Sequence, residues 1–282
     1  MGRFFVFFVA LVVLKSISPH AVRAYGVGMR IAMTRAISPA LERCELAHIA
    51  RQAIDLAVAR RQHESYERAL AEAGCRVNRI AAGDDMPDSV FIEDAAVVVD
   101  ELAVVTRPGA ESRRGETAAV ASALAPYRRL VTIEPPGTLD GGDVLRVGRR
   151  VFVGESARTN AAAMSQMARH LAPFGYTVHA VPVDGCLHLK SAVSAISEDT
   201  LLFNPDWVHA DGFRPLNLVE VDPAEAYAAN ALLVGDALIY PTAFPRTAAR
   251  IRQQGGRVVE VDVSELAKAE GAVTCCSLIF ES

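Results

Sequence analysis

The apolar positions of this chain fall into short paired runs separated by turns, and the pairs recur. One pair runs from Asp94 through AAVVVDELAVVT, and a second from Asp140 through GGDVLRVGRRVFVG. A third starts at His188 (LKSAVSAISEDTLLF) and a fourth at Asn230 (ALLVGDALIY). A fifth run, CSLIF, starts at Cys275. Each opens on a polar, potentially reactive residue. The steps between openings are 46, 48, 42 and 45 residues. A near-constant period of that size marks a radial or stacked repeat architecture. Equivalent positions of a radial repeat converge on one axis. An acid, an imidazole and a thiol from distant points of the chain would then meet, a grouping suited to nucleophilic catalysis.

Between the pairs the apolar spacing becomes helical. GETAAVASALAPY, TNAAAMSQMARHLAPFG and PRTAARIRQQGG read as helices, followed by the strands LVTIEP, YTVHAVPV and RVVEVDV. After the third pair only a short, poorly helical stretch precedes LNLVEV. Ahead of the first pair, RIAMTRA reads as a strand. The spacing of Leu46, Ile49, Ala53, Leu56 and Ala57 predicts a helix from about Glu45 to Ala73, stopped by Gly74, and CRVNRIA reads as another strand. The repeated unit is strand, strand, helix, strand, an α/β arrangement. Its fifth copy is split, with CCSLIF supplying one strand and the N-terminal strand and helix the rest. No linker-like or low-complexity run interrupts residues 29–282, which reads as a single domain.

The first 28 residues stand apart. Arg3, the apolar run FFVFFVALVVL and AVRA ending at Ala24 have the form of a signal peptide over residues 1–24. Alternatively, translation starts at Met29 and the preceding residues are upstream sequence. The first reading predicts export and the second a cytoplasmic protein.

Composition narrows the chemistry. Apolar residues make up 51% of 282, enough for a full core. The net charge is −4 with no Lys/Arg-rich run, which argues against nucleic acid and suits an acidic pocket for a small cation. The five cysteines are odd in number and lack CxxC spacing, so neither a disulfide framework nor a zinc cluster is expected. Cys275 and Cys276 are strand neighbours and should face opposite ways.

Cys275, His188 and Asp140 gain weight from their shared repeat position; alone, each reads as a core thiol, a structural imidazole and a turn acid. Asp143 reads as serving its loop. Asp88, Glu93 and Asp94 are acids set among Val, Phe and Ile, unlike ordinary surface charge. Arg107 and Arg158 follow the first and second pairs at comparable places, and a guanidinium fork suits a carboxylate. Arg113 and Arg114 read as a solvated pair.

Together, PDSVFIED, TRPGAESRRGE, TLDGGDV, GESARTN, LHLKS and TCCSL resemble the dimethylarginine dimethylaminohydrolases, or dimethylargininases, of the guanidino-modifying (amidinotransferase) superfamily. The resemblance covers nearly everything after Met29. It implies the pentein fold, a five-bladed ββαβ propeller. It also implies hydrolysis of N-ω-methylated arginines to citrulline and an amine, through a covalent thiouronium and with no metal or organic cofactor. Cys275 would be the nucleophile, His188 the general acid/base and Asp140 its orienting acid, a position held by Glu in some relatives. Asp94, with Glu93 beside it, would hold the guanidinium. Asp88, Leu46 and Ala269 would surround the α-amino group, and Arg107 and Arg158 would grip the α-carboxylate. The substrate is the expected partner, without nucleic acid or membrane, and a homodimer is the candidate assembly. Alternative readings are an arginine deiminase, a hydroxyarginine amidinohydrolase, or a non-catalytic pentein that binds a macromolecule.

Overall fold

The computed structural model describes residues 28–282. The signal-peptide reading of residues 1–24 lies outside the described residues. No helix among those described is long and apolar enough to cross a membrane.

The chain opens with β1 (Arg30–Arg35), α1 (Leu56–Glu72) and β2 (Arg76–Ile80). The next unit is β3 (Ala96–Val98), β4 (Leu102–Val105), α2 (Thr117–Leu124) and β5 (Arg129–Thr132). Then come β6 (Val144–Val147), β7 (Arg150–Glu155), α3 (Ala161–Leu171) and β8 (Thr177–Pro182). A single turn of helix, α4 (Leu189–Ala192), leads into β9 (Val193–Ala195), β10 (Thr200–Phe203) and β11 (Asn217–Glu220). The last units are β12 (Leu232–Val234), β13 (Ala237–Pro241), α5 (Pro245–Gln253) and β14 (Arg257–Val261), then α6 (Ser264–Ala267) and β15 (Ser277–Glu281).

These strands make five three-stranded sheets. In each, an antiparallel pair is followed by a parallel outer strand, as in β3–β4–β5 and β12–β13–β14. A parallel neighbour requires a crossover, which an α-helix supplies in four of the sheets and a loop with one short 3₁₀ turn, Ala210–Phe213, in the β9–β10–β11 sheet. The fifth sheet joins the two ends of the fold: β15 runs antiparallel to β1, with Thr34 opposite Ser277, and β2 lies parallel on the other side. The result is a five-bladed ββαβ propeller, the pentein fold.

The middle strands are covered on both faces. LAVV of β4 and ALIYP of β13 are buried at every position, which explains their unbroken apolar reading. Core material also lies between sheets and helices. Met164, Met167 and Leu171 of α3 pack with Val104, Val151 and Val153. Burying each such side chain stabilises the fold by roughly 1.5–3 kcal/mol.

The first helix is shorter than its apolar spacing predicts. Asp55 caps it, its carboxylate accepting from the N–H groups of Ala57 and Val58 at 2.9 and 3.0 Å. Residues 44–54 run as a loop instead. Leu46 and Ile49 therefore belong to a covering segment, not to a helix.

Candidate active site

The openings of the paired strands do converge. Asp140 is fully buried at the start of the TLDGGDV turn. Its Oδ1 accepts from the Gly109 N–H at 2.8 Å, and its Oδ2 meets His188 Nε2 at 3.1 Å. The paired glycines of this turn have a steric origin. A Cβ on Gly142 would stand 2.6 Å from His188 Nδ1 and 2.8 Å from Asp94 Oδ1. With no side chain there, the Gly142 N–H donates to Asp94 Oδ1 at 2.9 Å.

Asp94 also accepts from Arg113 Nη1 at 2.7 Å and lies 3.9 Å from His188 Nδ1. Burial alone would raise this carboxyl, but His188 and Arg113 outweigh it and hold it well below the usual carboxylate range. His188 shows the reciprocal effect. Burial pulls its pKa down, yet Asp94, the hydrogen bond to Asp140, Asp143 and the Asp140 charge together lift it to about 9. The imidazole is therefore protonated at neutral pH, with Nε2–H on Asp140 and Nδ1–H toward Asp94.

Cys275 is half-buried on the wall of the same cleft as His188 and Asp94. Its carbonyl accepts from the Glu93 N–H at 3.1 Å, which ties the two loops together. Burial pushes the thiol up to about 12, with Glu93 and Asp94 adding to the effect, so at rest it carries its proton. Cys276 is fully buried in the apolar cluster around Tyr66 and Leu70, against which Cys275 also packs. Asn230, the fourth strand opening, serves as a fastener. Its amide donates to the Lys190 carbonyl and to Thr274 Oγ1, both at 2.9 Å, and accepts from the Thr274 N–H at 3.1 Å.

Above Cys275 the cleft is nearly shut, with a volume of only ≈ 20 Å³. That is room for about one water and far too little for an amino acid. Glu270 holds the loop over it: its carboxylate accepts from the N–H groups of Ala47, His48 and Ile49 at 3.0, 2.5 and 2.8 Å. Glu270 itself adopts a left-handed backbone with φ of 58°. Larger cavities of ≈ 420 and ≈ 680 Å³ exist, but neither is lined by Cys275 or His188.

Of the residues expected from sequence, Asp88, Asp94, Arg158, Ala269, His188 and Cys275 line the cleft. Asp140 stands behind His188. Glu93 turns away from the cleft, its carboxylate bound by Lys190 Nζ at 2.5 Å and Thr274 Oγ1 at 2.9 Å. The Leu46 side chain packs on the apolar cluster, and its neighbour Glu45 lines the cleft instead. Arg107 does not reach the cleft. It lies on a strand-like bridge with Leu139 and spends its guanidinium on the Gly137 carbonyl at 3.1 Å.

The arginine in its place is Arg113, which is buried, not solvated. Its fork meets Glu116 at 3.2 and 2.9 Å, Asp94 at 2.7 Å and the Asp88 and Phe91 carbonyls at 3.3 Å. The one sequence signal for this was the i, i+3 spacing of Arg113 and Glu116. Arg158 is freer; its contact across the cleft is Glu45, at 3.4 Å.

Donor atoms of Asp94, Asp140 and His188 lie within 4.8 Å of one another, close enough to suggest a cation. Arg113 already supplies a fixed positive charge against Asp94, and the protonated His188 supplies another. The cluster is organised for acid–base chemistry and for holding a planar cation, more than for ligating a metal.

Residues 47–281 match the family model described as N,N dimethylarginine dimethylhydrolase, eukaryotic. The N(G),N(G)-dimethylarginine dimethylaminohydrolase of Streptomyces coelicolor is 41% identical over 248 residues, covering 88% of this chain and 95% of that protein. Its counterpart from Pseudomonas aeruginosa is 39% identical over 228 residues, covering 80% and 90%. A structure of the Pseudomonas aeruginosa protein, a cysteine-to-serine mutant complexed with citrulline, superposes with a TM-score of 0.84 at 34% identity, over 90% of this chain and all of that one. The N-terminal domain of ArgZ, an arginine dihydrolase, is 20% identical with a TM-score of 0.78 over 88% of this chain and 97% of that one, and shares the fold.

Proposed function

The chain belongs to the dimethylarginine dimethylaminohydrolase family, and from that premise we propose that it hydrolyses N-ω-methylated arginines to citrulline and methylamine or dimethylamine, with Cys275 as nucleophile. The observation that carries this reading is the shared cleft, where Cys275, the protonated His188 and the ionised Asp94 face one small space.

A guanidinium carbon is a weak electrophile because its charge is delocalised. Asp94 would align the cation beside Sγ. The bound cation offsets the two carboxylates that keep the thiol protonated, so the thiol releases its proton to solvent and the thiolate adds to the guanidinium carbon. His188 then passes its Nδ1 proton to the departing amine as the tetrahedral adduct collapses, leaving a thiouronium on Cys275. The neutral imidazole takes a proton from water, and the resulting hydroxide adds to the same carbon. A second collapse expels the sulfur, which takes up the proton of the hydroxyl, so that the thiol and the imidazolium are restored and citrulline is left. One imidazole acts first as acid and then as base, held throughout by Asp140.

At the other end of the substrate, Arg158 would exchange Glu45 for the α-carboxylate, with Arg113 as the buried charge behind Asp94. Asp88, the Ala269 region and Glu45 would surround the α-amino group. The loop closed by Glu270 must open to admit the substrate, since the cleft as it stands has no room for an amino acid. All five cysteines are unpaired, which suits a reducing compartment, and we place the enzyme in the cytoplasm.

The test is a substrate panel: citrulline formed from monomethylarginine, asymmetric dimethylarginine, hydroxyarginine and arginine, compared by kcat/KM. The methylated substrates should lead. Arginine or hydroxyarginine at the head of the ranking would leave the chemistry standing and overturn the assigned substrate.

A further inference from the structure

Asp143 closes the TLDGGDV turn and touches none of the expected substrate, yet it is fully buried. Its Oδ1 accepts from the Leu189 N–H at 2.9 Å. Its Oδ2 accepts from two hydroxyls, Ser156 at 2.6 Å and Thr159 at 2.7 Å. The direction of both hydroxyl bonds is set from behind. Ser156 Oγ accepts from the Arg158 N–H at 3.0 Å, and Thr159 Oγ1 accepts from the Asp140 N–H at 3.2 Å, so each hydroxyl proton is left for Asp143. Three donors point at one carboxylate and favour its ionised form, against the burial that raises its pKa. Gly154 leaves the space it occupies: a Cβ there would stand 2.7 Å from Asp143 Oδ1.

The three contacts lead to three separate parts of the cleft. Leu189 directly follows His188. Thr159 carries the backbone of Asp140, and Ser156 carries the backbone of Arg158. We infer that Asp143 is a positioning residue that fixes the His188–Asp140 pair and the Arg158 grip in one frame, through two separable hydroxyl branches. The inference rests on the hydrolase reading above.

Removing the Asp143 charge also bears on His188. The groups facing that imidazole are Asp140 and Asp143 from the turn, Asp94 with Arg113 behind it, and Cys275 from the opposite loop. Asp143 is among those that favour the imidazolium.

The experiment uses three variants. Asp143→Asn keeps the size but turns an acceptor into a donor toward the hydroxyls. A charge-assisted bond lost on each branch should lower kcat/KM for dimethylarginine by about 100-fold. The His188 titration, followed by NMR in the absence of substrate, should move to lower pH. Thr159→Val should lower kcat by about 10-fold with KM little changed. Ser156→Ala should raise KM by about 10-fold for dimethylarginine, but not for its decarboxylated analogue, with kcat little changed and the His188 titration in place.

Equal effects of the two hydroxyl variants on kcat and KM would overturn the inference, and so would an unmoved His188 titration in a folded Asp143→Asn. Should Asp143→Asn fail to fold, the two hydroxyl variants decide. The titration needs no turnover. A protein that fails to hydrolyse methylated arginines but shows the titration shift refutes the substrate reading and supports the positioning role.

Discussion

Arg158→Ala should cost the enzyme its hold on the amino-acid end of the substrate and little else. The Arg158 side chain is 15% exposed, and its contact across the cleft is a long one, 3.4 Å to Glu45, which is itself 40% exposed. Trading that partner for a substrate carboxylate gains a charge-assisted, potentially bidentate pair in a less solvated place. Such a bond is worth about 1.5–3 kcal/mol, which corresponds to roughly 10- to 100-fold in kcat/KM. The same substitution should change turnover of the decarboxylated analogue by less than about 3-fold, because that molecule brings no carboxylate to the arginine. Arg107→Ala is the internal control. Its guanidinium is committed to the Gly137 carbonyl, so its loss should cost about 1 kcal/mol of stability and affect both substrates alike. Arg113→Ala should behave differently again. It would leave Asp94 and Glu116 buried without their cation, and breaking a buried pair costs about 3–5 kcal/mol, so the expected result is loss of folding before loss of specificity. Steady-state kinetics on the two substrates, with thermal melts of each variant, separate these outcomes. If Arg107→Ala discriminates between the substrates and Arg158→Ala does not, the placement of the carboxylate grip is wrong.

Three further outcomes follow from the same geometry. With substrate, Cys275→Ser should abolish the covalent adduct seen by mass spectrometry without loss of fold, whereas Cys276→Ser should keep the adduct and melt earlier; the reverse pattern would exchange the two roles. The pKa of His188 is raised on folding from 6.5 to about 9, so its contribution to stability is whole below about 6.5 and is lost as pH rises toward 9. Melting temperature should fall across that window, and a His188→Gln variant that falls equally would assign the effect elsewhere. Glu270→Ala removes the acceptor of three loop amides, so Ala47, His48 and Ile49 should lose hydrogen-exchange protection while α1 keeps its own; unchanged protection would mean that the loop is fastened by something else.

The blades were legible in the sequence because what makes them is local. Paired apolar runs bounded by turns, and helical spacing between them, are all read within a dozen residues. The recurrence of reactive residues at strand openings then foretold convergence, and Asp94, Asp140, His188 and Cys275 do meet. Even the fifth blade, split between β1 and β15, could be inferred from what the two ends lacked. Other features were decided only by contacts across the fold. The helix expected from Glu45 begins at Leu56 because amides 47–49 are taken by Glu270, more than 200 residues away, and no local pattern records that competition. Arg113 sits in a polar stretch that reads as solvated. It is buried because Asp94, Glu116 and two carbonyls together offset the cost of taking a guanidinium out of water, and that set exists only once the turn has folded back. Arg107 holds an equivalent place along the repeat but points at a backbone carbonyl. Local periodicity decides which strands and helices form; which charge ends in the cleft depends on desolvation and on hydrogen-bond partners that only the closed propeller brings within reach.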